Sequence, residues 1–250
     1  MIKKEKYSAS ILVIGDEILS GRTQDTNSNY ISKKMTEVGV NVSEIRAIPD
    51  TKETIVSSVN ELRKRNDYLF TTGGIGPTHD DITSESIAEA LNVNIEVNAT
   101  AFNDLEKYYK EMGSPFNEVR QRMARIPVGA ILINNPVSIA PGFKLDNVFV
   151  FAGIPKIMKA MLKNSLKYIQ TGCIMHSLSI KVDTVEGDIA EILRTLDLEE
   201  NELKIGSYPF FNSELDFGVN VVIKSVDKEK LSKAAKDFKA FLDRNSLSFN

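Results

Sequence analysis

The sequence contains few of the residues from which disulfide frameworks, zinc cages and membrane segments are built. Its 250 residues include one cysteine, Cys173, which excludes an internal disulfide and a cysteine-based zinc site. The basic N-terminus is followed only by the apolar run ILVI at residues 11–14, which is too short for a signal sequence or a membrane span. We therefore expect a cytoplasmic protein with no membrane partner.

An excess of one charge is absent as well. The chain has 31 basic and 34 acidic residues, a net charge of −3, and its lysines form no sustained block. Proteins that coat DNA or RNA carry a basic patch, so we expect no nucleic-acid partner. Apolar residues make up 42% of the chain, which is enough for one large α/β domain or for a main domain with a small appendage.

The most informative segment is TTGGIGPTHDD, residues 71–81. The apolar, β-favouring run that ends at Thr72 predicts a buried strand. Gly73, Gly74 and Gly76 then leave the backbone open to a ligand, and a helical pattern begins after the next proline. A strand, a glycine loop and a helix start together can bind phosphate through free backbone N–H groups. The glycines alone are equally compatible with a turn that binds nothing.

Two adjacent carboxylates, Asp80 and Asp81, follow the glycines. They would repel an anion unless a cation lay between, so the pair indicates metal-assisted chemistry or a general base. The alternative is helix capping by Asp81 or Thr83, which requires only one carboxylate. His79 has no second histidine near it in sequence and is interpreted as a turn residue.

Strand and helix patterns alternate from the N-terminus through this segment. Short apolar strands are predicted at residues 10–14 and 41–48, each followed by a helix with an apolar stripe. Asp50 and Glu53 have the spacing of a capping box at the start of the second helix. Alternation of this kind predicts a mainly parallel sheet with helices on both faces.

Ligands bind at the carboxyl ends of parallel strands, where the loops after the first three strands should converge. Those loops carry six acidic residues: Asp16, Glu17, Asp25, Asp50, Asp80 and Asp81. Any one of them is explained as a helix cap or a solvated side chain. The whole set at one edge is better explained by a metal site or an acid–base site.

The patterns that follow complete this domain. We predict a short helix over residues 117–125, a hairpin that pairs Gly142–Leu145 with Val148–Phe151, and a helix from Pro155 to Gly172. The short helix carries three arginines, which are expected on a solvated face, although one of them could reach a ligand phosphate.

Five motifs along the chain are GDEILSGRTQDTNSNYI, PDTKETI, TTGGIGPTHDDIT, NPVSIAPGF and AGIPKIM. In this order they resemble the molybdopterin-binding fold family. That family includes molybdenum-cofactor biosynthesis proteins, competence/damage-inducible protein A (CinA) and the molybdopterin-binding-like domain of eukaryotic FAD synthases. GGIGPTHDD together with NPVSIAPGF is most similar to the CinA-type members. The resemblance implies a three-layer αβα sandwich with a mostly parallel mixed sheet and a ligand pocket at the glycine loop.

The resemblance also implies a function. CinA-type members are described as nucleotide pyrophosphatases that act on ADP-ribose or FAD-like dinucleotides with a divalent metal, cobalt or magnesium. The cofactor-biosynthesis members bind molybdopterin and adenylylate it. Two functions therefore stay open: a metal-dependent nucleotide pyrophosphatase, or a non-catalytic molybdopterin- or nucleotide-binding module, including a role in molybdenum-cofactor biosynthesis. In either case the expected partner is a small-molecule nucleotide or pterin.

The resemblance assigns site residues motif by motif. The phosphate end of the ligand is expected at Thr72, Gly73, Gly74 and Gly76. Catalysis is assigned to Asp50 and Asp81, and the adjacent carboxylates Asp80 and Asp81 are expected, from the charge pair itself, to hold the metal. The other ligand contacts are expected from two loops, one with Asp16, Glu17, Asp25 and Asn27 and the other with Ser138, Pro141 and Gly142.

Two positions depart from the family pattern. Ala152 stands where CinA-type relatives usually have proline, and Ile157 where they usually have glutamate, so the last loop is expected to contribute no acid. The family's pyridine-nucleotide deamidase domain has no room before Asn250, so that activity is expected to be absent.

Residues 1–172 are predicted to form the molybdopterin-binding-like domain and residues 173–250 a small α+β domain. The second segment has the pattern β-α-β-β-α and contains no acid pair, histidine or glycine loop that we interpret as catalytic. Its alternating strands predict self-association, as a dimer or trimer.

Overall fold

The computed structural model describes residues 7–199, 203–213 and 216–250. It divides into two compact units, Met1–Gly172 and Cys173–Asn250. Within the described ranges every helix is too short or too polar to cross a lipid bilayer.

The first unit alternates strands and helices over most of its length. Its elements in chain order are β1 (Tyr7–Ile14), α1 (Asp16–Leu19), α2 (Asn27–Glu37), β2 (Val40–Ile48), α3 (Lys52–Arg65), β3 (Tyr68–Thr72), α4 (Thr83–Ala90), β4 (Ile95–Val97), α5 (Ala99–Glu111), α6 (Glu118–Gln121), β5 (Arg125–Pro127), β6 (Ile131–Ile133), β7 (Gly142–Leu145), β8 (Val148–Phe151) and α7 (Pro155–Ser165). Two 3-10 turns, Arg122–Ala124 and Leu166–Tyr168, complete it. The main sheet has the order β2-β1-β3-β8-β7-β6; β2, β1, β3 and β8 run parallel, and the last two pairings are antiparallel.

Both faces of this sheet are buried, which explains the unbroken apolar runs of its central strands. All five residues of β3 are buried. On one face Phe70 packs with Met35 of α2 and Met158 of α7, and on the other Leu69 packs with Ile55 of α3. The predicted three-layer αβα sandwich with a mostly parallel mixed sheet is therefore confirmed.

Two predictions of helix capping are wrong, because tertiary hydrogen bonds replace the local ones. The N-cap of α3 is Thr51, with no side-chain cap bond, and the carboxylate of Asp50 accepts instead from the N–H of Asp16 at 2.9 Å. No side chain caps α4. The hydroxyl of Thr83 donates to the carbonyl of Gly73 at 3.0 Å, and the carboxylate of Asp81 closes the turn before the helix.

The predicted helix over residues 117–125 is also partly wrong. Only Glu118–Gln121 is α-helical, a 3-10 turn follows, and Arg125 begins β5. This strand pairs antiparallel with β4 in a separate two-stranded ladder. The hairpin of β7 and β8 and the proline start of α7 are confirmed, but α7 ends at Ser165 rather than at Gly172.

The second unit has the predicted order of elements. They are β9 (His176–Val182), α8 (Glu186–Glu199), β10 (Lys204–Ser213), β11 (Asp216–Ser225) and α9 (Lys228–Arg244). The strands form an antiparallel sheet in the order β10-β11-β9, and Val182, Val221 and Phe238 belong to its single core. The sequence pattern predicts that the last strand begins at Glu214, which lies outside the described residues.

Candidate functional site

Four loops meet at the carboxyl edge of the parallel strands of the first unit. They follow β1, β2, β3 and β8. The N–H of Gly15 donates to Ile48 at 3.1 Å, and the N–H of Gly73 donates to Phe151 at 3.1 Å, so two of the loops are bonded to the ends of neighbouring strands. Parallel pairing thus brings together the three loops expected from the sequence and adds the loop after β8.

The glycine loop after β3 is fixed in a backbone conformation that favours glycine. Gly73 has φ +107° and Gly74 has φ +65°. A Cβ on Gly74 would collide with the Thr83 hydroxyl and would lie 3.6 Å from Oδ1 of Asp50. Beyond this bend, the backbone N–H groups of Gly74, Ile75 and Gly76 donate to no residue that the structure describes. Consecutive free N–H groups at a bend are what an anion-binding loop offers.

A cavity of about 390 Å³ lies beside the glycine loop. This volume is within the range of small-molecule sites, roughly 300–1,000 Å³. Its polar lining includes Glu17, Asp81, Asn135 and Ser138, together with the loop backbone. Its apolar lining is formed by Ile75, Pro77, Met123, Ala140, Ala152, Ile154, Ile157 and Met161. The cavity therefore combines an anion-binding edge with a wall suited to a flat ring.

Asp50 is a half-buried carboxylate next to the glycine loop. Burial raises its pKa, and the negative charges of Asp16, Glu17 and Asp80 raise it further. The hydrogen bond from the N–H of Asp16 opposes this shift without cancelling it. A carboxyl group whose pKa is raised accepts a proton more readily than an ordinary aspartate does.

The adjacent carboxylates have different environments. Asp81 accepts from the N–H of Thr78 at 2.8 Å and from its hydroxyl at 2.5 Å, and its Oδ2 would be 2.6 Å from a Cβ on Gly76. Asp80 is exposed. Its pKa is lowered by contact with the Thr78 hydroxyl, by its own N–H, and by the nearby side chains of His79 and Arg122. Asp81 is thus held against the loop, whereas Asp80 remains ionised on the surface.

The loop after β1 lines a smaller cavity that also includes Thr72, Glu17 and Gly153. In it, the carboxylate of Asp25 accepts from the N–H groups of Asn27 and Ser28 at 2.9 and 3.1 Å, so this residue fixes the start of α2. The amide of Asn27 donates to Gly153 at 2.6 Å, and its buried Oδ1 has no partner among the described residues.

The residues predicted from the loop before β7 occupy different places. Ser138 lines the main cavity, and its hydroxyl accepts from the amide of Asn135 at 2.8 Å. Pro141 lines a small adjoining cavity with Asp81. Gly142 is buried in β7, where a Cβ would be 2.5 Å from the carbonyl of Val150, so its role is sheet packing rather than contact with the cavity.

Comparison with known families accounts for both units. Residues 10–171 match the family described as "Probable molybdopterin binding domain". The chain belongs to the molybdopterin-binding domain family. Residues 174–250 match the middle domain of FAD synthase.

Relatives of this molybdopterin-binding-domain protein extend along most of its length. A protein of Archaeoglobus fulgidus is 34% identical over 233 residues, which cover 93% of this chain and 97% of the relative. A protein of Pyrococcus furiosus is 32% identical over 247 residues, which cover 93% and 96%. The crystal structure of CinA, of unknown function, from Thermoplasma acidophilum superposes with a TM-score of 0.60 at 30% identity, covering 66% of this chain and 99% of that one. The CinA-like resemblance of the first unit is confirmed.

The metal assignment in this molybdopterin-binding domain stays a prediction. Among the residues that the structure describes, no group of three or more His, Cys, Asp or Glu side chains is placed to hold a metal. Magnesium, however, is commonly held by one or two carboxylates together with the phosphates of a substrate. Asp80 and Asp81 would therefore fit only a site in which the phosphates of the ligand supply the remaining metal contacts.

Several cavity residues were missed by sequence reasoning. Asn135 is buried and orders its own loop, donating to Ser138 and Ala140 and accepting from the N–H of Val137 at 3.0 Å. The sequence signal was the Asn135-Pro136 pair, which is typical of a turn start. The apolar wall as a whole gave no signal, because its members come from four separate segments and meet only in the folded chain.

Proposed function

We propose that this chain is a nucleotide pyrophosphatase that hydrolyses the diphosphate of ADP-ribose or of an FAD-like dinucleotide. The observation that carries the proposal is the juxtaposition of three free N–H groups, at residues 74–76, with Asp50 and Asp81 against the same loop. The N–H groups suit a phosphate, and the apolar wall suits the base or flavin ring. The match of the second unit to a domain of FAD synthase supports a nucleotide as ligand.

In this proposal each residue of the site has a separate role in one hydrolytic step. The glycine loop holds one phosphate while a water molecule attacks the phosphorus. The water oxygen forms a new bond to the phosphorus while Asp50 accepts a proton from the water. At the same time the bond between the phosphorus and the bridging oxygen breaks. ADP-ribose and water would thus give AMP and ribose 5-phosphate. Asp81 orients the water, and a cobalt or magnesium ion at Asp80 and Asp81 would offset the charge of the diphosphate.

The test is AMP release from ADP-ribose and from FAD by the purified protein, with magnesium, cobalt or EDTA. Asp50→Asn and Asp81→Asn are expected to reduce kcat by roughly 10²- to 10⁴-fold. Asp146→Asn is the matched control, because Asp146 lies in the turn at the opposite end of β8. No AMP release under any condition, or undiminished release by Asp50→Asn, would overturn the proposal.

A second candidate is a non-catalytic module that binds molybdopterin or a nucleotide, including a role in molybdenum-cofactor biosynthesis. It is favoured by Ala152 and Ile157, which make this part of the cavity wall apolar. CinA-type relatives usually have glutamate at the position of Ile157, so an acid that could take part in catalysis is absent there. Its signature is thermal stabilisation without turnover, about 2.7 kcal/mol at a ligand concentration of about a hundred times Kd.

A further inference from the structure

Among the residues that the structure describes, no positively charged side chain lines the cavity beside the glycine loop. None of its lining residues is lysine or arginine, although Glu17 and Asp81 are present. A smaller cavity adjoins it and shares the lining residues Ile75, Gly76, Asp81 and Met123. This second cavity contains Arg122, the single lysine or arginine among the described residues that line the two cavities.

Arg122 is distinguished from the two arginines near it by what they contact. The guanidinium of Arg120 donates to the carbonyl of Pro115 at 2.5 Å and lies 4.3 Å from the ring centroid of Tyr109. Arg125 forms an ion pair with Glu85 at 2.8 Å, which neutralises that carboxylate in the small cavity. The side chain of Arg122 forms no hydrogen bond or ion pair with any residue that the structure describes, so its donors are available to a ligand. Its positive charge lowers the pKa of the exposed carboxylate of Asp80.

The backbone holds Arg122 at this position. It begins the 3-10 turn that ends at Ala124, which is fully buried and packs with Ala101 and Leu105 of α5. The turn leads directly into β5, where Ile126 is buried. The side chain of Arg122 is itself only partly exposed, so less conformational freedom is lost on binding than for a fully solvated arginine.

We propose that Arg122 is a phosphate-binding residue, which pairs with a phosphate group of the ligand while the N–H groups of residues 74–76 hold the same diphosphate. The planar guanidinium can donate two parallel hydrogen bonds to phosphate oxygens. This inference rests on the proposed function to the extent that it requires a phosphate-bearing ligand in the cavity. It assigns the charge-neutralising role to a side chain of the chain itself, whether or not a metal also binds.

The experiment measures binding separately from turnover. The probes are the α,β-methylene analogue of ADP-ribose, whose P–C–P linkage resists hydrolysis, and adenosine, which has no phosphate; both are titrated calorimetrically in EDTA. Arg122→Gln is expected to raise Kd for the analogue on the order of ten- to a hundredfold and to leave Kd for adenosine within about twofold. Arg122→Lys keeps the charge but not the planar guanidinium. Its Kd for the analogue is expected to lie between those of Arg122→Gln and the unaltered protein.

The matched control is Arg120→Gln, which removes the same charge from the same segment and is expected to leave both affinities unchanged. Equal affinities of Arg122→Gln and Arg120→Gln for the analogue would overturn the inference, even if the protein hydrolyses ADP-ribose. So would failure of the unaltered protein to bind the analogue. Arg122-dependent binding of the analogue without hydrolysis of ADP-ribose supports the inference and removes the proposed function.

Discussion

The two units differ in where they bury polar side chains. In the first unit the buried polar residues include Asn27, Thr72, Thr83 and Asn135, all in or beside the loops at the carboxyl edge of the parallel sheet. In the second unit the described buried polar residues are only Thr184 and Ser225. Burying a polar group is unfavourable unless it is hydrogen-bonded, and the side chains of Asn27, Thr83 and Asn135 donate to loop carbonyls, so these groups order the loops at that edge.

Two aromatic side chains of the second unit have a structural explanation. Within β10, Tyr208 lies over Gly206, 2.9 Å from where a Cβ on that glycine would be. Across the two strands, Phe210 of β10 lies over Gly218 of β11, 3.0 Å from the corresponding position. Aromatic rings that cover glycines in a sheet stabilise the sheet rather than form a cavity. The two units therefore differ in what their polar and aromatic side chains do: those of the first order the loops at one edge of its sheet, and those of the second cover the sheet itself.

The largest expected effect comes from removing one buried phenylalanine from each unit. Phe149→Ala in the first unit and Phe238→Ala in the second are each expected to reduce the free energy of unfolding by about 3–5 kcal/mol, measured by urea denaturation. Both side chains are fully buried. Only Phe149→Ala is expected to weaken binding of the α,β-methylene analogue. Equal loss of affinity in Phe238→Ala would show that the second unit contributes to the site.

A smaller effect is expected from Gly74→Ala, for which Gly113→Ala is a matched control. The two glycines have nearly the same φ, +65° and +64°, but a Cβ would contact Thr83 and Asp50 at the first position and nothing within 4 Å at the second. Left-handed strain of about 1–2 kcal/mol is therefore common to both variants. Gly74→Ala alone is expected to displace the loop and to reduce AMP release about a hundredfold. Equal activity of the two variants would contradict a binding role for the loop.

How far the sequence predicts this fold depends on how local each signal is. The strands around Leu12 and Phe70 are short, apolar and followed by helices with periodic stripes, so the parallel sheet and its loop-bearing edge were predicted correctly. The pairing of β4 with β5 was missed, because strands of three residues show too little periodicity. The cap expected of Asp50 was wrong, because the N–H of Asp16, distant in sequence, binds that carboxylate. The sequence showed that one of three arginines could reach a phosphate but not that it was Arg122, because the three differ only in their tertiary contacts.

The smallest expected effect concerns pH, and it has opposite signs at Asp50 and Asp216. Burial first, and then neighbouring carboxylates, raise the pKa of Asp50 in the folded state. The folded state therefore binds this proton more tightly than the unfolded state, and stability falls as the pH rises through the window between the unfolded and folded pKa values. The pKa of Asp216 is lowered by hydrogen bonds from Asn212 and Lys181, so its contribution to stability is lost as the pH falls.

The isosteric variants separate these two contributions. Asp50→Asn removes an ionised carboxylate that opposes folding, so at pH 7 it is expected to unfold at a slightly higher urea concentration than the unaltered protein, with the difference vanishing in acid. Asp216→Asn removes a favourable ion pair with Lys181 and is expected to be slightly less stable at pH 7, again with the difference vanishing in acid. A destabilised Asp50→Asn at pH 7 would mean that the bond from the Asp16 N–H outweighs the burial of charge. Asp50 would then stabilise the folded state, and the carboxylates of the two units would no longer differ in the sign of their effect on stability.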